Sequence, residues 1–155
     1  MTGRKIISIA LLFLLFILHT ADCRAAVIEI QPLDFGRWLV AGNNGVQNIT
    51  LQTDSSYSNS AGIIMLSPPQ AGIFLISGLP ISQIISSVTI TMTQAMSSGA
   101  GEVFTMDNFT YDAPPSTDGS GEATITIGAR ARTSGNGNPY ANDVFNGDLE
   151  ITFNF

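Results

Sequence analysis

The stretch that decides the fold is Gly147-Asp148-Leu149-Glu150-Ile151-Thr152-Phe153-Asn154-Phe155, the last nine residues of the chain. Apolar and polar side chains alternate along it, so one face is apolar and the other is polar. This period of two predicts a β-strand with one buried face, because successive side chains of a strand point to opposite sides. Burying four apolar side chains is worth roughly 6 to 12 kcal/mol, which is comparable to the net stability of a whole domain. The segment is therefore predicted to close the fold, with these inward side chains: Leu149, Ile151, Phe153 and Phe155.

Further strand-like segments precede this one, separated by clusters of glycine, proline and asparagine. Residues 48–53 and 88–93 alternate in the same way, which predicts two more half-buried strands. Residues 63–66 form a continuous apolar run, which predicts a strand buried on both faces. Such segments recur at spacings of about ten residues without helical periodicity, which is typical of an all-β sandwich. We predict an immunoglobulin-like β-sandwich of seven to nine antiparallel strands.

Residues 1–25 have the layout of a secretory signal peptide. Arg4 and Lys5 precede an apolar run over residues 6–18, and small residues lead to a cleavage position after Ala25. The run is shorter than the roughly 20 apolar residues of a membrane-spanning helix, so we expect no stable membrane anchor after cleavage. The mature chain, residues 26–155, is predicted to be a single exported domain.

The composition of the mature chain excludes whole classes of chemistry. Residues 26–155 contain no lysine, histidine or cysteine, and three basic residues stand against eleven acidic ones, a formal net charge of −8. Nucleophilic triads, Schiff bases, disulfides and the usual zinc ligands are therefore excluded. The negative charge also argues against nucleic-acid partners, which require a basic patch. We predict that the domain is not an enzyme and holds no cofactor or metal.

Two small groups of side chains offer alternatives to a purely structural interpretation. Asp112, Asp118 and Glu122 share one loop, and carboxylate oxygens suit Ca²⁺, but their spacing does not match a helix-loop-helix calcium site. We interpret this loop as a solvated hairpin. Arg37 and Trp38 could form a platform for the apolar face of a sugar; a tryptophan packed beneath the loop is the alternative.

Four short motifs follow one another along the mature chain: Leu33-Asp34-Phe35-Gly36, Met106-Asp107-Asn108-Phe109-Thr110, Gly119-Ser120-Gly121 leading into residues 125–129, and Asn146-Gly147. In this order they resemble a bacterial family called domain of unknown function 4402. That family is similar in layout to chaperone-usher fimbrial subunits and to spore-coat-U-like pilins. The resemblance covers residues 27–155. It implies an immunoglobulin-like sandwich exported to the periplasm of a Gram-negative bacterium, and then to the cell surface or the medium.

The resemblance also implies how the protein would assemble with its partners. In pilin-like relatives the sandwich lacks one strand, and a periplasmic chaperone or the next subunit supplies it at an exposed edge. Ile28 and Ile30 would belong either to a donor segment or to the first strand. We expect the first strand, because only residues 26–33 precede Asp34 and a donor needs about a dozen. The groove-edge strand would carry Leu149, Ile151, Phe153 and Phe155.

The expected function is therefore that of a secreted, fimbria-like structural subunit assembled by β-strand complementation. Because the chain looks better equipped to accept a strand than to donate one, a terminal or tip position is favoured. The partners would be a periplasmic chaperone and other subunits. The alternative is a self-contained surface sandwich that binds a carbohydrate or a host ligand.

Overall fold

The computed structural model describes residues 25–99 and 101–155, so the predicted signal peptide, except for Ala25, lies outside the described residues. All strand pairs in these residues are antiparallel. No helix among them is long and apolar enough to span a membrane. The ten strands are β1 (Ala26–Gln31), β2 (Arg37–Val40), β3 (Asn48–Leu51), β4 (Tyr57–Asn59), β5 (Ile63–Ser67), β6 (Gly72–Ser77), β7 (Ser87–Ser97), β8 (Thr105–Asp112), β9 (Ala123–Arg132) and β10 (Asn146–Asn154).

The prediction of an all-β antiparallel sandwich is confirmed. The strand number is ten rather than seven to nine. One addition is β4, a three-residue strand at the end of the first sheet, within a segment whose polar composition indicated only a loop. All three β4 side chains are exposed, so no alternation of apolar residues marks this strand in the sequence.

The first sheet is organised around β9, whose side chains are buried at alternate positions from Ala123 to Ala131. β6 pairs with the first half of β9 and β3 with the second half, on the same edge, while β8 occupies the other edge. Gly128 lies where β6 gives way to β3. A Cβ at this position would collide with the carbonyl oxygen of Leu51, so the close approach of β3 requires glycine. β1 pairs with the outer edge of β6 and β4 with that of β3.

The second layer consists of two separate ribbons. β7 pairs with β10, and β2 pairs with β5. Within the part of the chain that the structure describes, no strand ladder joins one ribbon to the other. Both ribbons nevertheless pack against the same cluster of buried side chains: Trp38 and Met65 come from one, and Met92 and Leu149 from the other. Each of the four ribbon strands therefore has a single ladder partner among the described residues.

Two clusters of buried side chains fill the sandwich. The first includes Leu51 and Phe104, and the second includes Ile125 and Ile127. β10 lies over both, since Leu149 packs against the first cluster, and Ile151 and Phe153 pack against the second. The final strand therefore spans the whole core.

Residues 63–66 differ from the sequence-based expectation. Ile63 is buried, but Ile64 and Leu66 are 49% and 62% exposed. These two side chains point away from the core, on the outer face of the ribbon that β5 forms with β2. The prediction of a strand buried on both faces is therefore wrong, because the ribbon has a core on one side only.

Candidate functional site

The candidate site is formed by β2 and β10, two strands of the second layer that belong to different ribbons and have one ladder partner each among the described residues; we call the unladdered boundary between their ribbons the gap. On the β10 side, Leu149 is paired with Met92, Ile151 with Ile90 and Phe153 with Val88. These apolar side chains face the core, while the intervening polar side chains are exposed. The edge of β10 away from β7 has no ladder partner among the described residues. Unpaired backbone N–H and C=O groups on such an edge can pair with another strand.

On the β2 side, a tight turn sets the direction of the strand. The Gly36 amide donates a hydrogen bond to Oδ1 of Asp34 at 2.8 Å, and Asp34 also exchanges two backbone bonds with Gln70. Gly36 has a φ of +74°, and a Cβ there would collide with the Ser67 carbonyl oxygen. The turn therefore places the start of β2 directly against the end of β5.

An aromatic cluster links the two sides of the gap. The Phe104 ring is 4.5 Å from Trp38 on β2 and 4.8 Å from Phe145, the residue before β10, measured between centroids. The Trp38 and Phe145 rings are therefore at most 9.3 Å apart. β2 and the residue that precedes β10 thus pack against the same buried ring.

One family sequence profile, described as Domain of unknown function (DUF4402), matches residues 26–155. The chain belongs to the DUF4402 family. The match covers all ten strands, so the gap lies within the DUF4402 domain itself. Comparisons with curated proteins and with solved structures found no match.

The sequence-predicted residues occupy different parts of the DUF4402 domain. Leu149, Ile151 and Phe153 line the core side of β10, whereas Phe155 follows the end of this strand and is 49% exposed. The structure thus brings together three of the four predicted groove-edge residues. Ile28 and Ile30 lie in β1, which pairs with β6 as the first strand of the domain, and both side chains are exposed.

Arg37 and Trp38 do not form a common platform. The Arg37 side chain is exposed, whereas the Trp38 ring packs against the buried Phe104. Sequence reasoning missed Phe104, Tyr140 and Phe145 as members of this site. Their only signal was the presence of aromatic residues beside glycine- and asparagine-rich loops.

In the acidic loop of the DUF4402 domain, one carboxylate is engaged by backbone amides of the loop itself. Oδ1 of Asp118 accepts hydrogen bonds from the backbone amides of Ser120 and Glu122 at 2.8 and 2.9 Å. These bonds, with that of Glu122 first, hold the pKa of Asp118 below its ordinary value. Among the described residues, no group of three or more histidine, cysteine, aspartate or glutamate side chains could hold a metal ion.

The other two arginines of the DUF4402 domain share one carboxylate. Asp107 accepts hydrogen bonds from Nε and Nη2 of Arg130 at 2.7 and 3.0 Å, and from Nη1 of Arg132 at 2.9 Å. The bond to Arg130 is the main reason that the pKa of Asp107 lies below its ordinary value. Asp107 precedes Asn108, whose φ of +49° accompanies an irregularity in the β8–β9 pairing. This family motif therefore ties β8 to β9.

Asp107→Asn is expected to destabilise the domain at pH 7 by at most about 1 kcal/mol, since the side chains of this ion pair are more than one-third exposed. The lowered pKa of Asp107 stabilises the fold above the unfolded-state value of about 3.8, and this contribution is lost as pH falls below it. The difference in free energy of unfolding between wild type and Asp107→Asn should therefore be smaller at pH 3 than at pH 7. Urea unfolding at both pH values measures it; a difference that does not change with pH would contradict this assignment.

Proposed function

We propose that this chain is an exported, fimbria-like structural subunit, and that the gap between β2 and β10 accepts a β-strand from a partner protein. One observation carries the proposal: the second layer is divided into two ribbons that share a core but no ladder. In an ordinary sandwich a strand would occupy such a position. A strand added there would pair with two backbone edges at once, which is the β-augmentation mode of recognition.

The proposed partners are a periplasmic chaperone and other subunits of a surface assembly in a Gram-negative bacterium. This choice rests on the resemblance of the sequence motifs, which implies a layout similar to that of fimbrial and spore-coat-U-like subunits. Because β1 is paired with β6 from Ala26 to Gln31, its residues are engaged within their own domain. This pairing favours a subunit that accepts a strand without donating one, as at the tip or end of a fibre.

The accepted strand should have alternating apolar side chains. Its inner face would lie over the cluster that contains Phe104, between Trp38 on one side and Leu149 on the other. Burial of about three apolar side chains would contribute roughly 5 to 9 kcal/mol, from which the cost of ordering the strand is subtracted. A partner strand of this kind would add a large fraction of the stability of a typical domain.

The proposal is tested by supplying the strand in the same polypeptide. Residues 26–155 are extended after Phe155 by an Asn-Gly turn and a strand as long as β10 that alternates valine and threonine. Such a turn directs the added strand back along β10 as a hairpin. Urea unfolding should show that the extended chain is more stable than the chain alone by about 3 kcal/mol or more.

A matched control carries the same extension with proline at every second position. Proline cannot donate to a strand ladder, so this chain should be no more stable than the unextended one. The proposal fails if the unextended chain is a highly stable monomer and neither extension changes its unfolding midpoint.

A further inference from the structure

A separate concave site lies where β2 ends. A cavity of about 260 Å³ is lined by residues 40–44 on one side and by residues 137–140 on the other. Val40 is the last residue of β2, and the second lining segment belongs to the long loop between β9 and β10. The cavity is therefore built from two loops rather than from the strand edges of the gap.

A buried asparagine holds these two loops together. Asn43 is 5% exposed, and its side-chain Nδ2 donates hydrogen bonds of 2.9 to 3.2 Å to the opposite loop. Its Oδ1 and its backbone carbonyl oxygen accept bonds from two backbone amides of the same loop. The partners of Asn43 are Ser134, Gly135, Asn136, Gly137 and Asn138.

Two further contacts hold the loop of residues 134–140 from the other side. Glu102 Oε1 accepts hydrogen bonds from the side-chain amides of Asn136 and Asn138 at 2.8 and 2.7 Å. The Tyr140 ring stacks on Phe104 at 4.0 Å, and its hydroxyl donates to the Val103 carbonyl oxygen. The wall of the cavity is thus formed before any ligand binds, which lowers the conformational cost of binding.

The residues that line the cavity are uncharged, and three of them are asparagines with amide side chains. None of the lining residues is charged, although the mature chain carries a formal net charge of −8. Carboxylates are preferred by divalent cations, and arginine or lysine by phosphates, so an uncharged lining favours a neutral ligand. The Asn44 side chain is exposed and makes no hydrogen bond to the described residues, so its amide is available. Pro139 and Tyr140 add apolar surface beside it.

We propose that this cavity binds a neutral sugar ring, such as the terminal unit of a glycan. Sugar hydroxyls need amide donors and acceptors, and the apolar face of the ring needs a flat hydrocarbon or aromatic surface. Both are present in the lining. The volume lies below the range of about 300 to 1,000 Å³ that is typical of pockets for larger ligands, which suits a single ring. The cavity adjoins the gap, because Val40 ends β2 and the Tyr140 ring stacks on Phe104, but the amide of Asn44 lies in a loop outside both strands of the gap.

The test uses residues 26–155 labelled for NMR and titrated with the methyl glycosides of glucose, galactose, mannose and N-acetylglucosamine, up to millimolar concentration. We expect at least one of them to shift the amide signals of residues 40–44 and 137–140. Asn44→Ala should weaken this binding at least tenfold, whereas Asn142→Ala should leave it unchanged, because Asn142 is an exposed asparagine outside the cavity.

Three outcomes would overturn the proposal. The first is that none of the four sugars shifts these signals. The second is that a sugar binds with the same affinity to wild type and Asn44→Ala, which would place its site elsewhere. The third is that an acidic sugar, sialic acid, binds at residues 40–44 and 137–140 while the neutral glycosides do not. Each outcome leaves strand acceptance to be decided by its own unfolding experiment.

Discussion

Phe104→Ala is expected to lower the free energy of unfolding by about 3 to 5 kcal/mol, the range for removing a large buried aromatic side chain. The ring is 4% exposed and contacts Trp38, Tyr140 and Phe145. Trp38 is held by the pairing of β2 with β5, and the Tyr140 hydroxyl is held by hydrogen bonds with Ser134 and Val103, so these rings cannot all collapse into the space that Phe104 leaves. Urea unfolding followed by the fluorescence of Trp38, the single tryptophan, measures the effect.

Phe104→Leu provides the matched control. Leucine keeps most of the apolar volume but loses the ring stacking on Tyr140, so its cost should be clearly smaller than that of alanine. If Phe104→Ala costs less than about 1 kcal/mol, Phe104 is not the centre of the aromatic cluster. A cost of that size would also remove the argument that one ring couples the two sides of the gap.

Gly36→Ala is expected to destabilise the domain by about 2 to 5 kcal/mol. The φ of +74° disfavours any residue with a Cβ, and that Cβ would meet the Ser67 carbonyl oxygen as well as the Pro68 carbonyl oxygen at 2.8 Å. Both oxygens belong to the backbone at and just after the end of β5, so β2 and β5 would have to move apart to remove the clash. Thermal or urea unfolding of the purified variant measures the loss.

Gly42→Ala is the control, because it replaces a glycine that has neither a positive φ nor a close contact. A Cβ at Gly42 has no atom within 4 Å, and its φ lies outside the left-handed region. Its stability should therefore stay within about 0.5 kcal/mol of wild type. Equal losses for the two variants would show that the close contact at Gly36 is not the cause.

The strands that carry the core could be predicted from the sequence because their apolar residues alternate. This holds for β3, β7 and β10, where side chains of one parity face the buried clusters. The sequence indicated three of the inward-facing residues of the candidate site for the same reason: Leu149, Ile151 and Phe153.

The remaining features depend on contacts between distant segments, which no local pattern contains. The apolar run of residues 63–66 shows that its side chains are hydrophobic, but not whether packing covers both faces of the strand. The aromatic cluster brings Trp38, Phe104 and Tyr140 together from three separate parts of the chain. The edge of β2 could not be recognised as one side of a gap, because its relation to β10 is defined only by packing.

The central position of β9 has a consequence for how the domain folds. Its neighbours β3 and β6 are made well before it, so Thr50 must find Arg130, 80 residues away, and Phe74 must find Ile125, 51 residues away. Domains dominated by such distant pairings fold slowly, typically in milliseconds to seconds, because loop closure precedes the gain from contacts. During that interval the edges of β3 and β6 are open to strands from other copies. We expect the refolding yield to fall as the chain concentration rises, because an incomplete first sheet can pair with strands of other molecules.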